Sequence, residues 1–206
     1  GGRIQALEDL VRDGVSLDGV VVEDAYLKGI KLSGGILNYA NLEGSRLDES
    51  NLDDAKLKVA KLMKAYLYKA NLSGADLHYA NFHEAHLVNA IFTNANLSFA
   101  RLSECDLRNA DFANTDLRMT KLSDSDLKDA DFTNANLQGA DLLDSHLTNV
   151  NLKNANLNKT LFWDNKFGEV HEAKFITPDQ IKQAKNWEKA IYSPEFREEL
   201  GLPPSE

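Results

Sequence analysis

Residues 65–99 read AYLYK ANLSG ADLHY ANFHE AHLVN AIFTN ANLSF, with one apolar residue at the centre of every five. Traced outward, the register holds from Leu17 to Phe167. That makes 31 consecutive fifth positions, of which 24 are Leu, six are Phe (82, 92, 112, 132, 162 and 167) and one is Val22. Two residues before each centre stands a small residue, most often Ala. Neither regular element has this period. Five residues of α-helix advance about 500°, so successive leucines would step round the cylinder by about 140° and form no stripe. On a straight strand the side-chain period is two, and an odd step sends alternate leucines to opposite faces. The leucines share one interior only if the chain turns a corner once per repeat. The pattern is that of a solenoid.

The number of sides follows from a second, longer period. Two residues after the centres, a step of twenty sorts the sequence into columns: Tyr39, Val59, Tyr79, Phe99, Met119 in one, Glu84, Glu104, Asp124, Asp144, Asp164 in the next, and Asn94, Asn114, Asn134, Asn154 in another. A step of fifteen mixes Tyr39 with Asp54, Lys69 and Glu84. Four repeats per coil explain the columns and three do not. At the roughly 4.8 Å spacing of neighbouring strands, about 7.75 coils make a rod about 37 Å long.

The triplets Ala40-Asn41-Leu42, Ala75-Asp76-Leu77, Ala110-Asp111-Phe112 and Ala140-Asp141-Leu142 resemble the A-(D/N)-(L/F)-x-x signature of the pentapeptide-repeat family, and the match runs over residues 15–169. The resemblance implies an all-β solenoid, a right-handed quadrilateral β-helix of about 7–8 coils with the Leu/Phe and Ala positions inward. Cys105 falls in one of the small inward slots and reads as a packed structural thiol. Asn and Asp before the Leu suit residues that hydrogen-bond local backbone at turns.

A solenoid must cover its end coils. Residues 3–13 read as an amphipathic helix with Ile4, Leu7 and Val11 on one face and Gly14 as its stop, so residues 1–14 are expected to form an N-terminal cap. Bulky Val15, Val20 and Ile30 mark an atypical first coil. After Phe167 the register fails, and 170–206 is expected to be a helical cap and tail. Thr177-Pro178-Asp179 predicts a helix running to about Tyr192, with Ile181, Ala184, Trp187 and Ile191 on one side. Ser193-Pro194 predicts a second short helix with Phe196 and Leu200 inward and Gly201 at its end. This tail is similar to those of cyanobacterial and thylakoid-lumen members of the family.

Composition narrows the function. No apolar stretch approaches the roughly 18–20 residues that span a bilayer, which argues against membrane insertion. A net charge of −9 opposes direct binding to nucleic acid. With Cys105 alone, neither a disulfide framework nor a cysteine zinc site can form. No phosphate loop or nucleophile triad falls on neighbouring columns, so no enzyme, cofactor or metal site is expected. His78, His83 and His86 occupy outward slots on three successive faces. Gly1-Gly2 leaves a removed targeting segment open, so the expected location is cytoplasm, or thylakoid lumen or periplasm after such a removal.

Two columns remain. Tyr39, Val59, Tyr79, Phe99 and Met119 would form an exposed apolar stripe, the expected contact for a protein partner of a monomer or weak homodimer. Glu84, Glu104, Asp124, Asp144 and Asp164 would stack carboxylates, whose mutual repulsion is small in water. The expected function is a non-catalytic scaffold that presents flat faces to a protein. The alternative is an acidic DNA mimic that binds a type II topoisomerase.

Overall fold

The computed structural model describes residues 2–166 and 169–204. From Val21 onward every fifth residue bridges, in parallel, the residue twenty positions later: Val21 to Asn41, Tyr26 to Arg46, Lys31 to Asn51, Ile36 to Lys56, and so on up the rod. Four bridges per coil make four sides.

One repeat shows how the backbone closes its hydrogen bonds. Asn41 N–H donates to Val20 O in the coil below (2.8 Å), and Leu42 N–H to Lys61 O in the coil above (2.8 Å). Gly44 N–H reaches Met63 O (2.9 Å), and Ser45 N–H closes the corner onto Leu42 O (3.1 Å). That leaves Glu43 N–H, which the Asn41 side-chain oxygen accepts (3.2 Å). Asp111 does the same for Ala113 N–H (2.8 Å). This is why Asn and Asp precede the centre: their side chains satisfy the one donor the coil geometry leaves over. The corner bond runs from the centre to the residue three on, and the residue two after the centre carries positive φ, the form of a type II turn.

The turn sends the centre and the small residue inward together. Leu57, Leu77, Leu97 and Leu117 are fully buried, as are Ala60, Ala80 and Ala100. Each inward Leu contributes roughly 1.5–3 kcal/mol. Phe92, Phe112 and Phe132 stack face to face along one side at 5.0 Å with planes 3° apart, and Phe82 meets Phe92 edge-on at 6.1 Å. From Thr115 on, a hydroxyl in the Ala slot donates to a central carbonyl of the coil below, as Thr115 does to Phe92 O (2.7 Å) and Thr120 to Leu97 O (2.8 Å), whereas Ser45 turns back to Leu42 O in its own repeat (2.6 Å).

Helix α1 (Gly2–Arg12) lies at the N-terminal end, with Leu7 buried and Ile4 and Val11 packed against the core. Its Glu8 carboxylate accepts Lys31 N–H (2.9 Å), a donor with no coil below it. Gly35 takes an inward slot crowded by its own coil and by Val11 of the helix, 3.2 Å from where a Cβ would stand. A Cβ there would sit 2.9 Å from Leu32 O and from a Leu37 methyl.

The C-terminal end departs from expectation. Regular coiling stops at Phe162, not near 169. The chain then leaves as an antiparallel hairpin, β1 (Trp163–Lys166) with β2 (Glu169–Glu172). Phe167 lies outside the described residues. Lys174 returns to bridge His146, at an offset of 28 instead of 20, so the hairpin is an eight-residue insertion.

The expected long helix is broken. Helix α2 covers only Pro178–Ile181, although its start matches the reading: Thr177 and Gln180 form a capping box. Lys185 then bridges Asn156, a 3₁₀ turn runs Trp187–Lys189, and Ile191 bridges Leu161. Strand pairing with the last regular coil outcompetes helix propensity, and Ile191 faces out while Tyr192 stacks on Phe162 (5.3 Å) in the next inward slot. Residues 173–192 thus lay one further irregular coil on the rod. Helix α3 (Pro194–Leu200) follows, capped by Ser193 and ended by Gly201 in the left-handed region, with Leu200 buried. No helix among the described residues is long and apolar enough to cross a membrane.

Candidate functional site

The rod has four corners, and the residue at the apex of each turn carries φ near +60°. Left-handed backbone costs an ordinary L-residue roughly 1–2 kcal/mol and a β-branched one more, which is why Gly, Asn and Asp favour it. The other three corners hold Gly, Asn or Asp at most apices and hydrated Glu or Lys at the rest. The fourth reads Gly19, Tyr39, Val59, Tyr79, Phe99, Met119, Gly139, Lys159. All five residues of the apolar stripe sit at strained apices, and they are 41–65% exposed.

The stripe is continuous at its centre. Tyr79 and Phe99 stack at 5.1 Å, and the His78 ring packs against both edges, at 4.3 and 5.6 Å. Met119 lies over Gly139, where a Cβ would run into its thioether. Glycine at 139 gives the methionine its bed. Replacing Val59 with Asn, the residue at the matching apex in Asn94, Asn114 and Asn134, is expected to stabilise the rod by about 0.5–1 kcal/mol by relieving strain. Thermal unfolding would show it as a rise of about 1–4 °C; a fall instead would mean that packing along the ridge outweighs the backbone penalty.

The acidic column is placed in part. Glu84, Glu104, Asp124 and Asp144 occupy successive apices of the next corner. Asp164 does not join them, because at that height the chain has already left the coil and Asp164 pairs with His171 in the hairpin. The column is not purely negative: Lys64 Nζ lies 3.8 Å from Glu84, and His83 Nε2 lies 3.3 Å from Glu84 and 3.9 Å from Glu104.

The three histidines part company. His86 stacks on Tyr66 (4.7 Å), which in turn lies under the Arg46 guanidinium. His83 has its Nδ1 3.1 Å from Ser103 O, and its other nitrogen falls within 4.8 Å of the Glu84 and Glu104 carboxylates, a set able to hold a cation. The sequence reading missed this trio. Its signal was a neighbour plus a residue one coil on, the offset that brings 83, 84 and 104 together.

Cys105 is buried, with its Sγ 3.0 Å from Phe82 O. Burial pushes its thiol up to about 12. Only about one thiol in ten thousand is then ionised at pH 8, so alkylation of the folded chain is expected to be slower by about three orders of magnitude than after unfolding. Rapid labelling of the native protein by iodoacetamide would contradict the packed slot. A concavity of about 820 Å³ lies against α3 and is lined by Pro194, Arg197, Glu198, Gly201, Leu202 and Pro204. It contains no hydroxyl, thiol or imidazole nucleophile, and Arg197 is engaged with Pro203 O (2.7 Å).

With the five-residue coil and its corners established, comparison with known proteins assigns the family. A pentapeptide repeat region model matches residues 65–142, and a model of eight pentapeptide repeats matches 25–62 and 125–164. The chain belongs to the pentapeptide-repeat family. Members of this family form right-handed quadrilateral β-helices. No curated protein matches the chain.

Among solved pentapeptide-repeat structures, HetL of the cyanobacterium Nostoc sp. strain PCC 7120, involved in heterocyst differentiation regulation, is 26% identical. That match covers 73% of this chain and 83% of HetL, with a TM-score of 0.35. A trypsin-treated variant of QnrB1, a plasmid-mediated fluoroquinolone resistance protein, is 17% identical over 92% of both chains, with a TM-score of 0.49. A pentapeptide-repeat protein of the Arabidopsis thaliana thylakoid lumen is 22% identical over 74% of this chain and 71% of its own, with a TM-score of 0.23.

Proposed function

We propose that this pentapeptide-repeat scaffold binds a protein partner through the corner formed by Tyr39, Val59, Tyr79, Phe99 and Met119. The observation that carries the reading is the cost of that corner. Three corners carry Gly, Asn, Asp or a hydrated Glu or Lys, whereas this one sets five apolar side chains, including a β-branched valine, on left-handed backbone facing water. Folding gains little from them there, since they lie outside the tube. A contiguous exposed apolar ridge on a rigid support is instead what a contact surface requires.

The test is the double variant Tyr79→Glu with Phe99→Glu, used as bait beside the wild type in affinity capture from the source organism. Glutamate already occupies equivalent apices at Glu84 and Glu104, so the coil should tolerate it. The expected result is an unchanged circular dichroism spectrum with loss of at least about 90% of the captured partner, as for a central hot spot worth ~2 kcal/mol or more. Equal capture by both baits would remove the stripe as the contact.

The acidic corner supports a second reading, occupancy of a topoisomerase's DNA site. It predicts inhibition of gyrase supercoiling at micromolar protein, and inactivity at large excess would end it.

A further inference from the structure

The charge around the stripe is opposite to that of the molecule. In the five coil segments that carry it (36–41, 56–61, 76–81, 96–101 and 116–121) six lysines and arginines face two aspartates, a net of +4 on a chain of net −9. Both aspartates are already taken, Asp76 by Lys58 (3.2 Å) and Asp116 by Arg118 (2.6 Å). Lys56, Lys61, Arg101 and Lys121 are exposed and have no ion pair among the described residues. The ridge is thus apolar along its crest and cationic mainly along one shoulder, where Lys61, Arg101 and Lys121 share a bridged column.

Its repeat distance selects the partner's backbone. Stripe residues recur once per coil, at about 4.8 Å, and Tyr79 and Phe99 are 5.1 Å apart. An α-helix laid along the ridge presents one apolar residue per turn, about every 5.4 Å, when they alternate three and four apart. Across the four intervals from Tyr39 to Met119 the two repeats differ by only about 2 Å. An extended strand presents same-face side chains about every 6.7 Å and falls out of step after two coils. Nucleic acid fits less well: Tyr79 and Phe99 are stacked on each other and leave no gap for a base.

We infer that the occupant of this corner is an amphipathic α-helix whose apolar face is flanked by Asp and Glu. This rests on the stripe being the contact surface and adds the partner's secondary structure and charge. Helix side chains pack beside Val59, Tyr79 and Phe99, while carboxylates along one side of the helix reach Lys61, Arg101 and Lys121, which share one bridged column.

The test uses two fluorescein-labelled helical peptides of about 18 residues, with leucines spaced alternately three and four apart. One is flanked by glutamate, the other by lysine. Both are titrated by fluorescence anisotropy against wild type, Tyr79→Glu/Phe99→Glu and Lys61→Glu/Lys121→Glu. The acidic peptide is expected to bind the wild type at least tenfold more tightly than the basic one and to lose at least tenfold affinity with either variant. It should also weaken between about 50 and 500 mM salt.

Equal affinity for both peptides, abolished by the aromatic variant, would overturn the acidic-helix assignment and leave the stripe reading standing. Binding of the acidic peptide that ignores the aromatic variant would overturn both. Failure of the acidic peptide to bind would overturn the helix assignment. So would preferential binding of single-stranded oligonucleotide or of anionic phosphatidylglycerol vesicles, or stripe-dependent self-association in sedimentation.

Discussion

Leu97→Lys is expected to split the unfolding of this rod and to cost more than about 5 kcal/mol. Leu97 is fully exposed to its neighbours in the tube and not at all to water, between Leu77 and Leu117 in its column. The inward slots around it hold Ala, Leu, Phe and hydroxyls already committed to carbonyls, such as Thr120 to Leu97 O itself. A lysine there must shed its charge or tear the corner open to reach water, and among the described residues no inward slot holds a carboxylate. In a one-dimensional stack each coil supports only its neighbours, so damage at mid-rod uncouples the halves. Urea titration followed by far-ultraviolet circular dichroism reports all coils, while tryptophan fluorescence reports the Trp163 and Trp187 end. The two curves should coincide in the wild type and separate in the variant. Leu97→Met, which keeps the volume, should cost less than about 1.5 kcal/mol. A lysine variant that unfolds in one step near the wild-type midpoint would refute the dry tube.

Phe112→Ala should cost about 3–5 kcal/mol. Phe112 is sandwiched between Phe92 and Phe132, each 5.0 Å away and nearly parallel. Coil spacing is set by the backbone ladder, so the rings above and below cannot close the gap. Phe112→Leu should recover most of the loss, because Leu52, Leu72 and Leu152 fill the same column. Comparable losses for Ala and Leu in chemical denaturation would mean that ring stacking, not filled volume, holds this side of the rod.

These expectations rest on slots legible in the primary structure because the coil is made of local turns. A corner every five residues leaves Leu and Ala only one way to face, and columns at a step of twenty follow from four corners. The stripe was legible for the same reason, from Tyr39 to Met119. Its cost was not: nothing in the residue names says that the apex is left-handed, and only the type II turn places Val59 at φ 59°.

The ends obeyed other rules. Thr177-Pro178 starts a helix as its capping residues demand, yet the helix stops after four residues. Lys185 and Ile191 gain strand partners in Asn156 and Leu161 that a helix would deny them. Ala190-Ile191-Tyr192 repeats the small, bridging and apolar order of the coils, a signal obscured by the broken register before it. Asp164 was placed in the acidic column by counting, and an eight-residue hairpin made the count invalid.

The amino-acid order alone therefore determined which side chains line the tube, how many sides it has and which of them share a corner, because each depends on contacts a few residues apart repeated in step. The folded chain decided where the stepping ends, what the corner strain costs, and that His83 meets Glu84 and Glu104 while Lys61 and Arg101 lie exposed beside the apolar crest. Those outcomes depend on how one coil is offset against the next and on competition between strand pairing and helix formation, which are settled only when distant segments meet.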